Sequence, residues 1–300
     1  MTTVIALTKR NIKLFFKDKG MFFTSLITPA ILLVLYATFL GKVYRDSFLA
    51  SLPPAFSLPE RLVDGLVGSQ LVSSLLAVST ITVSFCSNFL MVQDKASGTL
   101  RDLTISPVSP TTLSVSYYIA TLFSTLIICG SATAICLVYL AIVGWYLSFA
   151  DVMLLLLDVL LLVLFGTALS SVINFFLTSQ GQISTVGTIV SSGYGFICGA
   201  YMPISSFGKG LQRVISFFPG TYGTSLIRNH AMRGALAEMG GEGVPDAVTD
   251  TMRDALDCNL YFFDRQVPLG AMYAVLLATV LVLLGIYVLI NLHRNKRLVK

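Results

Sequence analysis

Six long apolar runs separated by shorter polar segments set the pattern of this chain. They cover residues 21–40, 68–92, 113–143, 152–177, 183–201 and 269–292, and each is long enough to cross a hydrocarbon layer of about 30 Å as a helix. The third would be about 46 Å long and should project beyond the bilayer. Between the fourth and fifth runs stand only Thr178, Ser179, Gln180, Gly181 and Gln182, so those two helices are expected to form a tight hairpin. The first run lacks a small-residue cleavage site and is read as a span, not as a removable leader.

Ahead of the first run, residues 3–19 follow a helical period. On a wheel of about 100° per residue, Val4, Thr8, Ile12 and Phe15 group with Ile5 and Phe16, while Lys9, Arg10, Lys13 and Lys17 fall beside one another. That pattern predicts an amphipathic helix lying in an anionic membrane interface, with membrane lipids as its partner. The plainer alternative is that these basic residues only fix topology.

Composition agrees with a polytopic chain: 55% of the 300 residues are hydrophobic and 12% charged, with a mean hydropathy of +0.82, which excludes an ordinary soluble domain. With the N-terminus inside, the inner segments carry eleven basic residues against three acidic, a net of +8, and the outer ones nine against eleven, a net of −2. Lys17, Lys19 and Arg294 to Arg297 sit at span ends, where the positive-inside rule applies. The expected fold is therefore an all-α integral membrane protein of six transmembrane helices, multi-pass in the plasma membrane, with both termini cytoplasmic.

Chemistry is sparse. Cys86, Cys129, Cys136 and Cys198 lie in apolar runs and Cys258 alone lies in a polar segment, so no disulfide framework or metal spacing arises and Cys258 is expected to be a free thiol. No phosphate-binding glycine loop and no Gly-x-Ser-x-Gly elbow occur, and His230 and His293 have no metal spacing. We expect no catalytic site, no metal, no bound cofactor and no nucleic-acid partner.

The short polar stretch 93–110, on the basic side, stands out. Thr99 followed by Asp102 reads as a helix start and Pro107 as a stop, predicting one or two turns from Leu100 to Ile105. On the other side, the run 211–227 is broken by Phe217, Phe218, Pro219 and Gly220. It is expected to form two half-helices that dip into the membrane and return, with surface helices as the alternative. The polar segment 235–265, with Gly240, Gly241 and Gly243, reads as a helical cap with a flexible joint.

Two stripes of small residues have two readings each. Ser69, Ser73, Ala77, Thr80, Ser84 and Ser87 share one face of the second run, and Gly187, Ser191, Gly195 and Gly199 recur every fourth residue in the fifth. They either pack helices closely or line a pathway; in the fifth run packing, including contact with a second copy, is favoured. Asp158, inside the fourth run, is either a proton or cation site or the outer boundary of the span, and we read it as the boundary.

Taken together, Gly98-Thr99-Leu100, Leu103, Ser106-Pro107-Val108-Ser109-Pro110, Pro203, Leu211-Gln212, Phe218-Pro219-Gly220-Thr221-Tyr222 and Leu226-Ile227-Arg228 resemble the membrane subunits of ABC type-2 exporters over essentially the whole chain. Members of that family usually carry a Glu-rich lead into Gly-Thr, where this chain has Gln93 to Ser97, leaving the acidic role to Asp94. The resemblance implies an interfacial N-terminal helix, a coupling helix after the second span and a re-entrant hairpin before the sixth. It implies a dimeric permease, homodimeric or paired with a close relative, driven by a separate ATPase subunit that binds ATP and magnesium. Leu100, Leu103 and Ile105 would dock on that subunit, with Asp94, Lys95, Gly98, Thr99, Arg101 and Asp102 setting geometry and orientation. Cargo would pass Ser73, Thr80, Ser84, Ser87, Ser191 and Gly195, and Phe217, Phe218, Pro219 and Tyr222 would form the outer gate. Few charges in the spans point to a hydrophobic or amphiphilic cargo: a drug, a lipid, a lipid-linked molecule or a peptide. The competing class is a channel or secondary transporter using Asp158; a membrane enzyme would need a cluster of reactive side chains that the sequence does not show.

Overall fold

The computed structural model describes residues 2–51, 58–105 and 108–298. Helix α1 (Thr2–Lys17) leads into α2 (Lys19–Leu35), whose first turn is capped by Asp18: its Oδ1 accepts from the Met21 N–H at 3.1 Å, satisfying a donor that a helix start leaves open. Past Pro29, α2 continues through a π-helical turn, Tyr36–Leu40, into α3 (Gly41–Ser51). Arg45 of α3 then pairs with Asp64 at 2.5 Å.

Asp64 belongs to α4 (Glu60–Ala96), the axis of the bundle. Its 37 residues make a rod about 55 Å long. Five helices surround it: α2, α6 (Pro110–Val143), α7 (Phe149–Phe176), α8 (Gln180–Ile197) and α10 (Pro219–Gly241). Within its most apolar window 94% of the residues are buried, although the sequence there is rich in Ser and Thr. The hydroxyls of Ser79, Thr80 and Ser84 donate to carbonyls three or four residues back, at 2.6 to 2.9 Å. Each such residue therefore presents a small, already satisfied surface to its neighbours.

Local signals place the remaining elements. Helix α5 (Thr99–Ile105) follows Gly98, whose φ of +84° suits glycine. Ser109 caps α6, while α7 and α8 each start with a capping box, Ser148 with Asp151 and Ser179 with Gln182. Then come α9 (Lys209–Ile215), α10, α11 (Asp246–Ala255), a hairpin of β1 (Tyr261–Phe262) and β2 (Arg265–Gln266), and α12 (Leu269–Leu298).

Two features differ from the sequence expectation, and a third falls partly outside the described residues. Among the described residues, five helical stretches, where six were expected, are long and apolar enough to cross a membrane: Lys19–Asp46, Glu60–Ala96, Pro110–Val143, Phe149–Phe176 and Leu269–His293. The run 183–201 instead yields α8, an 18-residue helix diluted by Ser, Thr and Gly that stops at Ile197. Second, α10 is one 23-residue helix running through the segment expected to begin the cap, and Gly240 and Gly241 are its last turn, not a joint. Third, Pro107, expected to stop α5, lies outside the described residues; α5 does end at Ile105.

Candidate functional site

At one end of the bundle, α5 sits at the foot of α4. Asp94, in the last turn of α4, is buried and bound on two sides: Arg10 of α1 donates to its Oδ2 at 2.8 Å, and the Tyr117 hydroxyl of α6 donates to the same oxygen. Burial pulls the Arg10 guanidinium down, but the bond and charge of Asp94 outweigh it and leave its pKa raised, which keeps it charged. The next residue, Lys95, donates to the carbonyls of Asn174, Phe175 and Leu177 at 3.1, 2.6 and 3.2 Å, closing the C-terminal end of α7 where unpaired carbonyls accumulate. So α1, α6 and α7 are tied to two consecutive residues of α4.

That geometry divides the expected coupling residues. Asp94, Leu100 and Leu103 turn inward, the leucines half-buried against the bundle, while Gly98 and Thr99 form the bend, with the Thr99 hydroxyl 3.0 Å from that of Ser97. Arg101, Asp102 and Ile105 face outward, Ile105 being 79% exposed. Arg10, grouped by the wheel with three lysines, turns inward because its partner is Asp94. Lys9, Lys13 and Lys17 are exposed, and Phe15 is buried.

The small-residue stripe of α4 is a packing surface. Ser73, Thr80, Ser84 and Ser87 are all buried within this one chain, and a Cβ on Gly166 of α7 would lie 2.7 Å from the Ser84 Oγ. These four serines and threonines, expected along a pathway, are covered within this single chain, Ser84 by α7. In α8, Gly195 is buried beneath the Tyr201 ring, whose hydroxyl donates to the Ser191 carbonyl at 3.1 Å. Ser191 does line an open cavity of about 610 Å3 between α2, α4 and α8, along with Cys86, Phe89, Gln93 and Thr188.

Towards the other end, α10 runs beside α4, α7 and α12. A Cβ on Gly223 would overlap Leu162 of α7, which lies about 20 Å along α7 from Phe149. Further along α10, Arg233 pairs with Asp151 at 2.5 Å. The bend at Phe218 and Pro219 is therefore deep beside α7, and the C-terminal end of α10 reaches the α6–α7 connection. Phe217 and Phe218 are 64% and 44% exposed, whereas Tyr222 is buried and donates to the Ser216 carbonyl at 2.6 Å.

Two buried polar clusters hold α10. Arg228 donates to Asp257 at 3.2 Å, to the Leu256 and Gly199 carbonyls at 2.9 Å each and to Ser74 of α4 at 3.3 Å. Asp257 also accepts from the Ile204 and Ser205 N–H groups, at 2.7 and 3.4 Å. In the second cluster, Asp158 Oδ2 lies 2.6 Å from His230 Nδ1, and the Tyr273 hydroxyl donates to Asp158 Oδ1 at 2.5 Å. Asp158 is wholly buried; α7 begins at Phe149, and Asp158, ten residues into it, ties α7 to α10 and α12.

The ABC-2 type transporter family matches residues 2–231. The chain belongs to that family. No curated protein matches the chain. As an ABC-2 protein, it is a permease component of an ABC transporter, a multi-pass membrane subunit whose family works with an ATP-binding partner.

In this ABC-2 chain the sequence missed the tie that positions the foot of α4 beside α5. Tyr117 carries no local signal: a buried Tyr in an apolar run looks like packing until Asp94 is placed beside it. Arg228, by contrast, was visible as a lone cation after an apolar stretch, and Asp158 and His230 were the only acid and the only imidazole in their neighbourhoods. Ionisable residues in such runs need partners. Among the described residues no group of acids, histidines and cysteines is arranged for a metal.

Proposed function

We propose that this chain is the permease of an ATP-driven exporter and that it converts movement at α5 into opening at the α9–α10 bend. The observation that carries this is the continuity of α4. One buried helix joins Asp94 and Lys95, beside α5, to Ser74, which contacts Arg228 of α10. A push on the outward residues Arg101, Asp102 and Ile105 reaches α1, α6 and α7 through the ties at Asp94 and Lys95. ATP and magnesium belong to the separate ATPase subunit that delivers the push.

In this reading α8 acts as a sixth crossing, short of full span by itself, and its largely exposed face meets a second copy or a close relative. The cavity containing Ser191 then lies in the cargo path, and its mixed apolar and hydroxyl wall suits an amphiphilic cargo. Phe217 and Phe218, exposed at the deep bend, gate the outer side as a re-entrant hairpin. The excess of basic residues at the α1 and α5 end supports cytoplasmic termini and a cell-membrane location.

Affinity purification of the tagged chain from native membranes in mild detergent tests the proposal. Co-recovery of a soluble ATPase, lost in Ile105→Asp, is the expected result. A chain recovered alone that still moves solute along an ion gradient would overturn it.

A further inference from the structure

Sharing no lining residue with the Ser191 cavity, α2, α4 and α6 enclose a second open space of about 540 Å3, within the roughly 300–1,000 Å3 typical of small-ligand sites. Phe22, Leu26 and Ala30 of α2 face Ile128 and Ala132 of α6 across it, with Leu75 of α4 at the back. The one hydroxyl in the wall, on Ser131, is spent on the Ile127 carbonyl at 2.8 Å. Ile127 and Ile135 on the rim are 51% and 59% exposed, so the groove opens sideways, towards the bilayer chains, and its wall offers an occupant nothing but hydrocarbon.

The elbow between α1 and α2, at one end of this groove, is predominantly basic, with Lys13, Lys17 and Lys19 against Asp18. Phe16 of α1 and Phe22, with ring centroids 5.9 Å apart, close that end. Lys13 stands one turn before Phe16, Lys17 follows it, and Lys19 opens α2; all three are exposed, and none makes an ion pair among the described residues. Arg10 is held by Asp94, and Asp18, the acid of this elbow, is engaged with the Met21 N–H. An apolar slot that ends at Phe16 and Phe22, on the elbow that carries Lys13, Lys17 and Lys19, complements a molecule with a hydrocarbon chain and an anionic head.

We infer that the α2–α4–α6 groove binds one anionic phospholipid, its acyl chain between α2 and α6 and its phosphate against Lys13, Lys17 and Lys19. The lipid is a resident ligand that seals α1 and α2 to the bundle; the groove is separate from the Ser191 cavity. This inference does not depend on the export reading, and either can fail without the other.

The test uses the full chain reconstituted in phosphatidylcholine vesicles doped with phosphatidylglycerol carrying a photoactivatable acyl chain. Cross-links are expected in α2 and α6. The same label on phosphatidylcholine should react far less. Each lysine near an anionic headgroup is worth about fivefold, so Lys13→Gln with Lys17→Gln should lower labelling by about twentyfold or more. Ala30→Trp, filling the slot from an exposed position, and Ala132→Trp, filling it from the opposite wall, should each abolish labelling with the lysines intact. Equal labelling by both lipids, or labelling indifferent to the lysine pair and to both tryptophans, would reduce the groove to ordinary annular contact and overturn the inference.

Discussion

Arg10 and Asp94 stand 84 residues apart and meet at 2.8 Å, joining the first helix to the end of the central one. Because the Tyr117 hydroxyl also donates to the same carboxylate oxygen, Asp94 is the point through which α1, α4 and α6 move together. Removing Arg10 leaves a nearly buried carboxylate with a single neutral donor. Arg10→Gln should therefore lower stability by about 1–3 kcal/mol, and adding Asp94→Asn should recover part of that loss, because the uncompensated charge goes with it. Thermal unfolding of the two single variants and the double variant in detergent measures the coupling; strictly additive losses would mean that the pair is not a tie.

The Arg228–Asp257 pair predicts a pH-dependent cap. Asp257 is held above the usual carboxyl value of 3.8 because its burial outweighs Arg228 and the Ile204 and Ser205 N–H groups. A raised folded pKa means that the contribution of Asp257 is fully present below about 3.8 and is lost as pH rises through the folded value. Without Arg228 that folded value climbs further. Arg228→Met should therefore cost about 3–5 kcal/mol near neutral pH, with a deficit that shrinks on acidification. Melting curves of the variant and the parent across mildly acidic to neutral pH check this. A deficit that grew in acid would contradict the pairing.

Close approach of backbones at the cap end is similarly testable. A Cβ on Gly234 of α10 would overlap the Tyr146 carbonyl oxygen, whereas one on Gly130 of α6 meets nothing within 4 Å. Gly234→Ala should cost about 1–3 kcal/mol by forcing α10 away from the α6–α7 connection. Gly130→Ala should leave stability unchanged or slightly higher. Comparable losses in both would show that α10 does not sit where the structure has it.

Asp158 separates a structural tie from an ion site. Its oxygens are engaged by His230 and Tyr273 and it has no exposure. Asp158→Asn keeps the shape and some of the bonding, so transport should persist with a lowered melting temperature. Loss of transport in a variant that melts like the parent would favour ion coupling.

Much of this was legible in the sequence. The apolar runs located α2, α4, α6, α7 and α12, since the length of a run and its lack of charge are the same facts that make a membrane helix. Thr99 followed by Asp102 located the start of α5. The fifth run was harder: a count of apolar residues does not show how far Ser, Thr and Gly lower the hydropathy of the 18-residue α8 below that of the five candidate spans. The Ser and Thr stripe of α4 was ambiguous because satisfied hydroxyls and pathway hydroxyls share one spacing. Gly166 against Ser84 shows close packing at that position, and that contact joins residues 82 positions apart in two different helices. Arg10 was grouped with its neighbouring lysines because a helical wheel sees angle and not Asp94.

The central claim is that a separate ATPase works through the outward face of α5. Its most direct test is the ATP hydrolysis rate of the purified ATPase subunit reconstituted with the parent chain or with Ile105→Asp, a change at a site 79% exposed that should leave the fold intact. The account predicts that the parent chain alters the rate and supports export, while the variant leaves the ATPase at its uncoupled rate and exports nothing. Full coupling and full export through Ile105→Asp, with Asp102→Lys added, would contradict it.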